Sequence, residues 1–170
     1  MKIIMVLNQI QAGVGTKDDT HVPLTATQNP VGPGSMMKPM MTKYDETLLA
    51  TIYCGTGLYE DDKAVTIRKI VGMVKRLGAD IVICGPSFDY PDFSKMSLEI
   101  AQAIQKESTV KAVCAMSDEM LELIATNQEN IPIVKMPKKG GAGLNDALEN
   151  ICQVVAQVGH HQEVDTALIY

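Results

Sequence analysis

The sequence contains no tryptophan, and aromatic residues make up only 4% of it. A core built from it must be aliphatic, with 11 methionines filling irregular gaps. Flavin rings stack on aromatic side chains, so this scarcity argues against a flavodoxin-like protein holding a phosphate-bearing cofactor. A block of basic residues is also missing. The 20 acidic residues outnumber the 15 lysines and arginines, for a net charge of −5. Such a chain is a poor ligand for nucleic acid. Eighteen consecutive apolar residues occur nowhere, so no membrane span is expected. The opening MKIIMVLNQIQAG has the lysine and apolar run of a signal peptide, but Asn8 and Gln9 interrupt it. It reads instead as a first strand, and the cytoplasm is the expected compartment.

Metal and nucleotide motifs are missing as well. Cys54, Cys84, Cys114 and Cys152 include no CxxC pair, and His21, His160 and His161 are scattered or near the end. The thiols read as reduced core residues, and no metal site is expected. Ala12-Gly13-Val14-Gly15 is not a dinucleotide fingerprint, because Asp18 stands where the third glycine belongs. Lys138 and Lys139 precede Gly140-Gly141-Ala142-Gly143, and no GK[ST] follows, so this is no P-loop. No cofactor is expected.

What is present is ordinary for a globular protein: 46% hydrophobic and 21% charged residues. Five nearly continuous apolar runs cover Lys2–Leu7, Leu48–Cys54, Asp80–Cys84, Val110–Ala115 and Ile131–Met136. Strands buried on both faces have this character. Helical spacings separate them. One runs from Asp62 to Leu77, with Gly78 behind it; others start near Ser94, Ser117 and Leu144. The alternation predicts an α/β fold: a doubly wound, mainly parallel five-stranded sheet with helices on both faces, Rossmann- or flavodoxin-like. Residues 1–160 form one domain in this reading, with a long Gly/Pro/Met-rich insertion at 11–46 and a tail at 161–170. Part of the insertion, Met36–Thr42, has a helical pattern. Its methionines Met36, Met37, Met40 and Met41 stand beside two prolines. Exposed Met-rich surface marks contacts and predicts a homo-oligomer, a dimer first; the competing reading folds these side chains back as core.

Ligands of open parallel sheets bind beyond the carboxyl ends of the strands. Four of the five apolar runs lead into glycines: Gly13 and Gly15, Gly55, Gly85 with Ser87 and Asp89, and Gly141 with Gly143. The fifth leads into Ser117-Asp118. Backbone N–H groups at glycines and helix starts suit a small anion. The same glycines also serve any tight turn between strand and helix. Cys54 ends one run and precedes a glycine, so it is the candidate nucleophile; the alternative is a small core residue that falls there.

Taken in order, these landmarks resemble the B component of glycine, sarcosine and betaine reductases. The resemblance rests on Ala12–Gly15, Val31-Gly32-Pro33-Gly34, the strand ending in Cys54-Gly55 with Tyr59 and Glu60 beyond, Gly85-Pro86-Ser87-Phe88, and Gly141-Ala142-Gly143-Leu144. It implies an α/β region and a role in reductive C–N cleavage of small amines. In that family a partner's pyruvoyl group activates the amine, a selenocysteine takes the carboxymethyl fragment, and thioredoxin supplies electrons. The 170 residues contain no selenocysteine, and Asp89-Tyr90-Pro91 replaces a small-residue stretch. The implied protein is a subunit or truncated paralogue without the selenocysteine half. The implied partners are a small amino acid or amine and other reductase subunits, with no turnover by the chain alone. The alternative is a non-catalytic module that binds small anions or amino acids.

Overall fold

The computed structural model describes residues 1–170. The chain forms six strands: β1 (Lys2–Asn8), β2 (Thr25–Thr27), β3 (Thr47–Cys54), β4 (Ile81–Phe88), β5 (Lys111–Ser117) and β6 (Ile133–Met136). They lie in one sheet in the order β2-β3-β1-β4-β5-β6. All neighbours pair in parallel except β2, which runs antiparallel to β3, with Thr25 opposite Tyr53 and Thr27 opposite Thr51. The expected five-stranded sheet therefore has a sixth strand. Its sequence, Thr-Ala-Thr, is short and sits on an exposed edge, so no burial pattern marks it.

Six α-helices join the strands: α1 (Pro33–Met41), α2 (Thr56–Asp61), α3 (Lys63–Leu77), α4 (Pro91–Glu107), α5 (Leu121–Asn127) and α6 (Leu144–Gly159). Short 3-10 turns follow α1 and precede α5. Helix α3 shows how local chemistry sets the boundaries. The Asp62 side chain accepts from the Val65 N–H at 3.2 Å, and Gly78 closes the other end in a left-handed conformation, φ 67°.

The helices fall into two groups. Helix α1 packs on α6 and β3, and α6 also reaches β4, β5 and β6. Helix α4 covers β4 and β5 and touches α2, α3 and α5. Every residue of β4 is buried, as are Ile3–Asn8 of β1 and Ala112–Ser117 of β5. Successive side chains of a strand point to opposite faces, so burial throughout requires cover on both. One contiguous hydrophobic cluster of 42 residues fills the space, and it includes Met37 and Met41 of α1. These two methionines are core; Met36 stays 42% exposed.

At the far end, residues 168–170 run beside β6. The Lys135 N–H donates to the Leu168 carbonyl at 2.9 Å, and the Tyr170 N–H to the Ile133 carbonyl at 3.1 Å. The tail thus closes that sheet edge. No helix is long and apolar enough to cross a membrane.

Candidate ligand site at the carboxyl edge

Because β1, β3, β4, β5 and β6 are mutually parallel, their carboxyl ends share one edge. Asn8 and Gln9, the polar pair that interrupts the first apolar run, organise it. The Asn8 carboxamide oxygen accepts from the Gln11 N–H at 2.8 Å and turns the chain out of β1. Gln9 is buried and ties two segments together: its Nε2 donates to the Thr16 carbonyl, and its Oε1 accepts from the Thr56 N–H, both at 3.3 Å.

The nominated glycines follow two different rules. Gly13 and Gly15 lie in the loop after β1, and Gly13 has open space where a side chain would stand. Gly55 is buried; a Cβ there would stand 2.0 Å from the Thr20 carbonyl oxygen, so its bareness admits residues 20–22 against the end of β3. Gly85 and Ser87 lie within β4 rather than in a loop, because β4 runs on through an irregular stretch to Phe88. The Ser87 hydroxyl accepts from Ser94 Oγ at 2.8 Å and donates to the Ala115 carbonyl at 3.2 Å, so it is committed inside the fold. Asp89 binds across the edge, accepting from the Lys139 N–H at 2.9 Å. Gly141 and Gly143 lead into α6, and Gly143 is its N-cap.

A cavity of about 200 Å³ opens at this edge, between the starts of α1 and α6 and the end of β4. Gln11, Gly32, Pro33, Met36, Phe88 and Leu144 line it, with Leu148 behind. Sequence reading missed these residues as a site, although Gly32-Pro33 and Leu144 lie inside the motifs noted above. Gly32 holds the wall together: a Cβ there would overlap the Gln11 carbonyl oxygen at 1.8 Å. Both helices begin without a side-chain cap. At α6 the N–H groups of Leu144, Asn145 and Asp146 donate to no protein acceptor. They leave a partial positive charge at the start of α6, where Leu144 borders the cavity while Asn145 and the acidic Asp146 border a neighbouring open hollow with Gly141 and Gly143. The cavity's volume lies below the roughly 300–1,000 Å³ of drug-sized sites and suits a very small ligand. At the end of β5 the Ser117 hydroxyl is buried without a partner.

Cys54 ends β3 fully buried, and burial pushes its thiol up to about 12. It is therefore protonated at neutral pH, the state of a core thiol rather than an attacking one. The other three cysteines are buried too. Burial raises Cys152 to about 12 and holds Cys114 well above the ordinary thiol range. No group of three His, Cys, Asp or Glu side chains gathers as a metal-ligand set.

Comparison with known proteins agrees with the order of motifs along this edge. Residues 1–169 match the family described as glycine/sarcosine/betaine reductase selenoprotein B. The glycine reductase complex component B subunit gamma of Symbiobacterium thermophilum is 25% identical over 116 residues, 68% of this chain and 27% of that protein. The subunit of the same name from Carboxydothermus hydrogenoformans is 24% identical over 118 residues, 69% of this chain and 27% of its own. The sarcosine reductase complex component B subunit beta of Peptoclostridium acidaminophilum is 25% identical over 116 residues, 68% of this chain and 26% of its own. These alignments cover about a quarter of the length of the curated relatives. No solved structure matches. With the match running over almost every residue, the chain belongs to the glycine/sarcosine/betaine reductase selenoprotein B family.

Proposed function

We propose that this chain is a cytoplasmic, component-B-like part of a reductase that cleaves C–N bonds in small amino acids or amines. Its share of that work is to bind the ligand at the carboxyl edge. The observation that carries the reading is the small cavity between the starts of α1 and α6. A carboxylate of the glycine, sarcosine or betaine class would accept from the free N–H group of Leu144 at the start of α6, and the ligand's methyl or methylene carbons would meet Met36 and Phe88. Gly13, Gly15, Gly55, Gly141, Gly143 and Asp89 shape the surrounding loops. The strand order β3-β1-β4-β5-β6 supports a flavodoxin-like winding, in which ligands sit where the order reverses, here between β1 and β4.

Thermal melting with glycine, sarcosine, betaine and acetate tests the reading. At least one should raise the Tm of the natural chain and fail to raise that of Met36→Trp, whose indole fills the cavity mouth. No stabilisation by any of them would overturn the site.

One observation favours the alternative, a module that binds without turnover: the buried, protonated state of Cys54. In that reading the electrophile and the strong nucleophile come from partner subunits. The purified chain with a dithiol should then release no ammonia or methylamine, and Cys54→Ser should behave identically. Turnover abolished by Cys54→Ser would make Cys54 the nucleophile and discard the alternative.

A further inference from the structure

The charge of this protein is unevenly placed. Helix α3 carries Lys63, Arg68, Lys69, Lys75 and Arg76 and no acidic residue, in a chain whose net charge is −5. Lys63 is paired with Glu60 and Glu99, both at 3.1 Å. Arg68, Lys69, Lys75 and Arg76 pair with no carboxylate, and all four are exposed. Lys69, Gly72, Met73 and Arg76 fall at helical spacing on one stripe. With Leu24, just before the edge strand β2, they line an open groove of about 440 Å³. Lys69 and Arg76 stand two helical turns apart, about 10 Å along the axis.

Gly72 is the informative residue. Glycine is the poorest helix former after proline. Here it is exposed in the middle of α3, and a Cβ at this position would meet nothing within 4 Å. Neither a close approach within the chain nor a left-handed backbone calls for it. A bare position between two unpaired cations, beside Leu24 and Met73, leaves room for something from outside.

We propose that this groove docks an acidic, partly apolar segment of a separate polypeptide, laid along α3 with its carboxylates on Lys69 and Arg76 and its backbone over Gly72. The charge pattern selects this occupant. The same face of a second copy would set cations against cations, which excludes a symmetric α3–α3 contact. A nucleic acid would meet only a few cations on a molecule that is acidic elsewhere, and it would leave Leu24 and Met73 unused.

The test uses a fluorescent twelve-residue peptide of alternating glutamate and leucine, followed by anisotropy at low salt. A twelve-nucleotide single strand and a lysine-leucine peptide serve as comparisons. The acidic peptide should bind and weaken as salt rises. Lys69→Glu/Arg76→Glu should weaken it at least tenfold, whereas Lys17→Glu/Lys111→Glu, with the same change in net charge, should leave it within twofold. Gly72→Ala should raise the Tm yet weaken the peptide, a split that a merely structural glycine would not produce. Equal loss in both double variants, or tighter binding of the oligonucleotide, would overturn the proposal. So would sedimentation showing that the natural chain self-associates through this face and that Lys69→Glu/Arg76→Glu disperses it.

Discussion

The two edges of the sheet differ, although the same strands supply both. At the carboxyl edge the connections are long or open. The loop after β1 runs to residue 24, α1 and α6 start without side-chain caps, and a cavity remains. At the amino edge the connections are tight. The Lys2 N–H donates to Asp80 Oδ2 at 2.7 Å, the Thr47 N–H donates to the Met1 carbonyl at 2.8 Å, and Gly78 turns α3 into β4. The amino edge also holds Glu46, 5% exposed, with neither carboxylate oxygen hydrogen-bonded. In this protein the carboxyl edge keeps the uncapped start of α6 beside open space, and the amino edge keeps the Glu46 carboxyl shut away from water. The first arrangement is open to a ligand; the second makes stability depend on pH.

The largest expected effect comes from cutting what the two edges share. Ile83 is fully buried in the middle of β4. Ile83→Ala should cost about 2–5 kcal/mol in urea unfolding. Hydrogen exchange should show both edges loosening together; if only one responds, the edges do not unfold as a unit.

Glu46 sharpens the comparison next. Burial pushes its carboxyl from the ordinary 4.5 up to about 8. The unfolded chain therefore loses this proton near 4.5, and the folded chain keeps it until about 8. Protonated Glu46 contributes fully below pH 4.5, and the contribution drains away as pH rises through this window. Unfolding free energy should fall across it and flatten above. Glu46→Gln should remove that slope and be the more stable protein at pH 9, by on the order of 3–5 kcal/mol. Parallel pH profiles for the two proteins would refute an uncharged Glu46.

Helix α3 separates a local effect from an edge effect. Asp62→Ala removes the bond to the Val65 N–H and should cost about 1 kcal/mol by thermal melting, with the Tm response to glycine-class ligands unchanged. The smallest expected signal is chemical. With all four cysteines buried, a thiol-reactive chromophore should label almost none in the folded protein and all four in urea. Rapid labelling of Cys54 alone would mean that the end of β3 opens to solvent.

Local pattern made much of this fold legible. The apolar runs marked five of the six strands, and three- and four-residue spacings marked α3 and α6 almost to their ends, since Asp62, Gly78 and Gly143 punctuate them. The edge strand β2 escaped because an exposed three-residue strand buries too little to leave a period. The loop reading of Gly85–Asp89 failed for a related reason. Gly and Pro look like breakers, yet Gly85-Pro86-Ser87 is carried on as buried strand by its neighbours β5 and α4. The four methionines of the insertion could not be divided between core and surface without knowing which side of α1 meets α6.

The sequence by itself determined the α/β class, the family and the order of the motifs that the parallel strands bring to one edge. Those follow from hydrophobic period, punctuation and motif order, all written along one dimension. Only the tertiary structure decided that Cys54 is a sealed thiol, that Gly55 and Ser87 serve the fold, and that the cavity belongs to Gln11, Gly32, Met36, Phe88 and Leu144. The same holds for the unpaired cations of α3 around Gly72. The physical reason is common to all of them. Burial, desolvation and free space depend on what distant segments bring to a point, and no window of neighbouring residues contains that information.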